Sequence, residues 1–481
     1  MLERFSNGGL MSQTNAKMDF LSANQLLVKW LVSLAIPTIV YFMLPIDGKT
    51  MTHEMGMFLA ITIFMVVIWA FGLVNEIATG IVLPVLYVAL CHVPAKVIYA
   101  GWLSDVPNTV IGGFILCKIL QTTGLGKRIG LGCMYAMKGS FVGVIWGLAT
   151  AIYIVSPFIP SANGKSLIFC AIVISLCEAL DIKKKSTEAT ALMMAAFLAV
   201  TSSKLCYLTG GGDLVIGMNL VNGVTGGTVT WFEYALWNLV PATVYTIMSV
   251  GIVVFLLPSK MDKEALKQVL VSRYNELGVM SKQEKIATAF FIFTLILLVT
   301  DKFHGLAPGM SLCLVACISF LPKIELMDAD KIKTVNFGPL FFIMGCMAIG
   351  GAGNYLKVTQ WMADGTFGYF HGLGDFGAGL AAYVVGVVGN FILTPLAATA
   401  SFSAPLAELG LNIGVEPRIV YFSFVYGFDN IIFPYETAPL LLFYGFGYIH
   451  FAKMVKVLAV RILLVMPFLL LVAIPWWKFI F

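Results

Sequence analysis

The stretch "WFEYALWNLVPATVYTIMSVGIVVFLL", residues 231–257, carries a single charged side chain, Glu233. A run of about 20 apolar residues matches the hydrocarbon thickness of a bilayer. Further runs of this kind lie near 26–45, 54–73, 77–93, 188–208, 286–300, 303–322, 337–355, 418–434 with its continuation to 451, and 457–480. The composition agrees: 59% of residues are hydrophobic and 11% charged, with a mean hydropathy of +0.92. That is too little charge to cover a soluble surface, so the chain reads as an all-α polytopic membrane protein. It is expected in a cell membrane as a multi-pass protein, which in a bacterial cell would be the inner membrane. No signal peptide is visible in "MLERFSNGGLMSQTNAKMDF". The net charge of +5 suits loops facing anionic lipid, and nothing points to nucleic acid. The nine cysteines lie mostly within apolar runs and read as buried thiols; the five histidines are too scattered for a zinc site.

One stretch is soluble in character, "PSKMDKEALKQVLVSRYNELGVMSKQEK" at 258–285. It divides the chain into a short N-terminal cytoplasmic segment (1–25), a first membrane half (26–257), the charged linker and a second membrane half (286–481). The halves echo each other. In the first, an apolar run breaks at "VSPFIPSANGKS" and a later one at "YLTGGGDL". In the second, "NFILTPLAATASFSAP" is followed by "IIFPYETAPLLLFYGFGY". Paired interruptions at corresponding places mark a transporter built from repeats.

The placement of Lys and Arg sets the orientation. Lys127, Arg128 and Lys138 precede the first interruption, and Lys183, Lys184 and Lys185 follow it. Both flanks of 141–182 therefore lie in the cytoplasm, and the segment enters and leaves on one side as a re-entrant hairpin. The corresponding stretch, about 377–413, has flanks without Lys or Arg and opens to the outside. Lys453 and Lys456 fall inside. The expected fold class is two inverted-topology repeats, each with a re-entrant helical hairpin and a broken transmembrane helix.

A helix broken at membrane depth frees backbone N–H and C=O groups, which survive only buried in protein or lining a wet cavity. There, half-helix N-termini face anions and loosened carbonyls and hydroxyls suit a hard cation. Lys165 at the first tip is expensive in hydrocarbon and is expected to face an anion, the other reading being a structural ion pair. Lys204 is either the partner of Asp213 or a side chain reaching for water. Asp429 and Glu436 either serve a cation or proton or satisfy local backbone.

At these residues the chain resembles the divalent anion:sodium symporter family, which includes citrate/succinate and other dicarboxylate carriers. "PSANGKS" stands at the first hairpin tip, "LTGGGD" at the first break, "TPLAATASFSAP" at the second tip and "FPYETAP" at the second break. The resemblance implies one sodium site at Ser161, Asn163 and Gly210 and a second at Thr394, Ala398 and Ala438. It implies an anion bordered by Asn163, Gly164, Thr209, Thr399, Thr437 and Pro439, with Lys165 where citrate carriers often have a basic residue. It also implies a homodimer. The chain departs from the family's pattern with Ser-Ala-Asn for Ser-Asn-Thr at the first tip, Ala397 and Ala398 for Ser and Asn at the second, and "GGGDL" for Pro-Asn after the first break.

The expected function is secondary transport of di- or tricarboxylates of the succinate, malate and citrate class, coupled to sodium or to carboxylate exchange. No covalent chemistry and no cofactor are expected; sodium would be a coupling ion. A cation/proton antiporter using Asp213, Asp429 or Glu436 is the nearest alternative, with a passive channel beside it. An intramembrane aspartyl protease is the remote one, since "GGGD" at 210–213 fits Gly-x-Gly-Asp but the usual Tyr-Asp dipeptide and Pro-Ala-Leu motif are absent.

Overall fold

The computed structural model describes residues 26–481 except 72, 138–139, 260, 363–364, 366–371 and 392. The expected N-terminal segment 1–25, Lys138 and much of the flank before the second hairpin lie outside the described residues. Among the described residues there are helices and no strand. In the first half these are α1 (Leu26–Met43), α2 (His53–Phe71), α3 (Glu76–Leu90), α4 (Val106–Thr122), α5 (Leu125–Ala136), α6 (Phe141–Val155), α7 (Ala162–Ala179), α8 (Thr187–Lys204), α9 (Gly212–Thr225) and α10 (Trp231–Leu256). The linker contains α11 (Lys263–Asn275). The second half contributes α12 (Lys282–Val299), α13 (Pro308–Ile318), α14 (Gly338–Tyr355), α15 (Gly374–Asn390), α16 (Pro395–Ile413), α17 (Pro417–Phe428), α18 (Ala438–Gly445) and α19 (Phe451–Phe468), which runs on to Ile480 through a π turn at Leu469–Ala473.

Two helical hairpins are present, α6–α7 and α15–α16, and two broken helices, α8–α9 and α17–α18. Local chemistry explains where each starts. Ser140, Ser161, Ser186 and Thr394 cap α6, α7, α8 and α16, each side chain accepting a backbone N–H that the helix itself cannot satisfy. Thr230 and Ser281 form capping boxes with Glu233 and Glu284 at α10 and α12. The α4 helix is one that hydropathy alone passes over, because Gly112, Gly113 and Lys118 dilute its apolar character; it is long and apolar enough to cross a membrane only together with α5. It bends by 68° into α5.

Packing follows the repeat. Hairpin arm α6 lies on α8 as α15 lies on α17; α4 crosses α13 as α14 crosses α3; α9 packs on α16 as α18 packs on α7. The matched crossings are equally tight. A methyl group at Gly112 would sit 2.7 Å from the Cys313 backbone nitrogen, and one at Gly345 would sit 2.5 Å from the Gly80 carbonyl oxygen. Small residues let membrane helices approach this closely.

The basic stretches that the charge rule assigns to one face are adjacent. The Lys185 N–H donates to the Tyr448 carbonyl at 3.1 Å, and Lys453 Nζ donates to Thr187 Oγ1 at 2.6 Å. Arg128 on α5 reaches Glu284 Oε1 at 2.7 Å and donates to the Leu277 and Gly278 carbonyls of the linker. The rings of Tyr135 and Tyr274 stack 5.0 Å apart. The linker is thus pinned to α5 rather than free in solvent.

Candidate functional site

The first hairpin tip is fastened to the first break by direct hydrogen bonds. The Gly212 N–H donates to the Pro160 carbonyl at 3.0 Å. Thr209 Oγ1 donates to the Pro157 carbonyl at 2.5 Å and accepts from Trp231 Nε1 at 2.9 Å. The tip also presses on α4, where a methyl group at Gly113 would overlap Pro160.

Lys165 sits at the centre of this contact with 0% exposure. Its ammonium donates to the Gly210 carbonyl at 2.8 Å and to Ser156 Oγ at 3.0 Å. Ser156 Oγ also accepts from Ser203 Oγ at 3.2 Å. In this conformation Lys165, which was expected to face an anion, turns its charge back into the break, toward carbonyl and hydroxyl oxygens. Those are the ligands a hard cation takes, and Gly210 is one of the residues expected to hold the first sodium.

The remaining charges at membrane depth form a chain between the repeats. Lys204, at the end of α8, donates to Asp213 Oδ2 at 2.5 Å and lies 3.9 Å from Asp429 Oδ1. Asp429, at the end of α17, is paired with Arg461 of α19, whose Nε donates to Ser249 Oγ at 3.1 Å. Tyr245 OH donates to the same carboxylate at 3.2 Å. Lys204 is therefore the partner of Asp213, and Asp213 is held as an ion pair rather than as half of an acid dyad. Glu436 accepts the Ile432 and Phe433 N–H groups and the Asn390 amide at 2.6 Å, so it satisfies its own break.

The open space at the site is a cleft of about 210 Å³ between the first tip, α4 and the start of α14. Ser161, Asn163 and Gly164 line it, with Cys117, Lys118, Gln121, Thr334 and Asn336 among its other walls. Asn163 is exposed there. Thr209, Thr399, Thr437 and Pro439 are buried. Thr399 Oγ1 donates to its own helix at the Pro395 carbonyl. Thr394 caps α16, the Ala398 methyl is fully buried, and Ala438 faces a separate apolar groove with Leu441 and Phe446. The cleft therefore gathers the first-tip residues and not those of the second tip. An apolar cluster of Val215, Ile216, Ile343 and Ala404 touches both Phe114, beside the cleft, and Leu396, beside the second tip.

Reading the sequence missed Ser156, Asn390 and Arg461. Arg461 and Asn390 carried a usable signal, being lone polar groups in long apolar runs. Ser156 carried none.

Comparison with known proteins gives one family and a consistent set of relatives. The model of the sodium:sulfate symporter transmembrane region matches residues 24–481. A sodium-dependent dicarboxylate transporter of Staphylococcus saprophyticus, SdcS, is 22% identical over 84% of this chain and 83% of that protein. A membrane protein of Cupriavidus necator is 24% identical over 64% of this chain, which spans 60% of that relative's length. The crystal structure of the Alcanivorax borkumensis YdaH transporter, described as having an unusual topology, superposes with a TM-score of 0.50 at 13% identity. That match covers 95% of this chain and 98% of the other.

Proposed function

Because the chain belongs to the sodium:sulfate symporter family of membrane transporters, we propose that it carries dicarboxylates of the succinate and malate class by exchange, with Lys165 standing in for the first coupling cation. The observation that carries this reading is the Lys165 ammonium seated on the Gly210 carbonyl and the Ser156 hydroxyl. A tethered ammonium supplies the positive charge that a carboxylate at the hairpin tip calls for, yet it cannot dissociate and so cannot transmit a sodium gradient. The second tip presents the buried methyl groups of Ala397 and Ala398, which offer sodium no ligand. The driving force then falls to a second carboxylate moving the other way.

The anion meets the Ser161–Asn163–Gly164 tip, where the N-terminus of α7 favours negative charge. The name of the Staphylococcus relative supports the substrate class. The hairpins and broken helices move as one body against the remaining helices, in a homodimer. The test is uptake by purified protein in liposomes, over a panel of carboxylates and sulfate, with sodium or choline outside and with or without internal dicarboxylate. Internal dicarboxylate should stimulate uptake several-fold, and replacing sodium by choline should leave it unchanged. Sodium-dependent uptake into empty liposomes, or uptake of sulfate alone, would overturn the proposal.

A further inference from the structure

The cleft beside the first tip has a wall that the site residues do not explain. Phe114, Cys117, Lys118 and Gln121 all line it, and their i, i+3, i+4, i+7 spacing puts them on one face of α4. Lys118 is partly buried. Among the described residues, no carboxylate lies within ion-pairing distance of its ammonium. The lining contains no Asp or Glu at all. Across the cleft stand Ser161, Asn163 and Gly164, with the exposed Asn163 side chain free of any protein hydrogen bond described for it. Lys118 and the tip are also close: a methyl group at Gly164 would lie 2.7 Å from Cys117 Sγ, the neighbour of Lys118.

Lys165 and Lys118 differ in kind. The first spends its donors inside the protein; the second keeps them for whatever enters the cleft. A cation with unused donors opposite the Asn163 side-chain amide and the N-terminus of α7 is arranged to hold an anion at both ends. We propose that Lys118 is the specificity-determining cation for the second carboxylate of the substrate. The tip takes one carboxylate and Lys118 takes the other, so that dianions are preferred over monoanions of the same length. This inference rests on the carboxylate-transport reading above. The competing view, that Lys118 merely extends toward the interface, predicts no effect on selectivity.

The experiment uses the full-length protein in liposomes loaded with succinate. It compares succinate with succinamate, which keeps the length but replaces one carboxylate by an amide. In the wild type, succinate should be preferred about tenfold or more, the size of one partly desolvated ion pair. Lys118→Gln and Lys118→Met should each raise the half-saturating succinate concentration about tenfold and leave that for succinamate unchanged. Lys118→Arg should retain the preference. An equal loss for both compounds, or no loss for either, would overturn the assignment. So would a wild type that transports both equally. A wild type that takes up no carboxylate would instead remove the transport reading itself, a result visible before any variant is made.

Discussion

Replacing Lys165 by alanine removes an ammonium and a four-carbon stem from a position with no solvent contact. Two charge-assisted hydrogen bonds go with it, to Gly210 O at 2.8 Å and Ser156 Oγ at 3.0 Å. Bonds to a charged group are worth about 1.5–3 kcal/mol each, and release of the ammonium's own desolvation offsets part of that sum. A net loss of about 2–4 kcal/mol is expected. What remains is a small chamber walled by a carbonyl and a hydroxyl, with Ser203 behind Ser156. A sodium ion fits that chemistry. If it binds, sodium at a hundredfold excess over its dissociation constant restores about 2.7 kcal/mol. The assay is thermal unfolding in detergent, in sodium chloride against choline chloride at equal ionic strength. Lys165→Ala should melt below the wild type in choline and recover in sodium by more than the wild type shifts. Lys165→Met keeps the stem in place and leaves no room for the ion, so it should show no such recovery. An equal sodium shift in wild type and Lys165→Ala would refute the idea that the ammonium occupies a cation seat.

Three further outcomes follow from the same geometry. Asp429→Asn leaves Arg461 and part of the Lys204 environment without a counter-charge, and should lower stability by about 3–5 kcal/mol; adding Arg461→Met should recover much of the loss in denaturant or thermal unfolding. Gly113→Ala places a methyl group into Pro160, so it should reduce transport at least tenfold while the protein stays monodisperse in gel filtration. The Arg128 guanidinium beside Glu284 holds that carboxyl below the usual carboxylate range, with the Ser281 N–H helping. Its folded value is depressed, so its contribution to stability is complete above the usual carboxylate range, about pH 4, and fades as pH falls through the lowered value. Unfolding followed from pH 6 to pH 3 should show a steeper acid loss in wild type than in Glu284→Gln.

The broad fold was legible because hydrocarbon leaves so few options. Uncharged runs must be helices, and breaks in them must be buried or wet, so "PSANGKS" and "FPYETAP" identified the first tip and the second break. Lys183–Lys185 and Lys453 were assigned to one face from charge alone, and the two stretches lie side by side through Tyr448 and Thr187. The α4 helix was harder to see, since Gly112 and Gly113 dilute its apolar run for the sake of a close crossing. The direction of Lys165 was not legible at all. A lysine beside a loop that binds anions is the same sequence signal whether its ammonium points out at the ligand or back at a carbonyl. The choice depends on Ser156 and Gly210, nine and forty-five residues away, and no local pattern encodes that pairing. Nor did the sequence reveal that Thr399 turns its hydroxyl onto Pro395.

On the reading proposed above, the two breaks give a physical reason for family membership and coupling ion to separate. Beside the Lys204–Asp213–Asp429 chain, each break gathers oriented dipoles around one further charge. At the first, a carbonyl and a hydroxyl face the Lys165 ammonium; at the second, two backbone N–H groups and the Asn390 amide face the Glu436 carboxylate. The dipoles come from the broken helices and are needed for the fold whatever ion they hold. The ion itself is set by one or two side chains. A substitution such as a lysine at position 165 can therefore exchange a diffusible cation for a fixed one without disturbing the hairpin, the break or their packing. A relative that uses sodium and a chain that supplies its own ammonium would then share every helix. The difference between them appears only when sodium is removed and transport is measured.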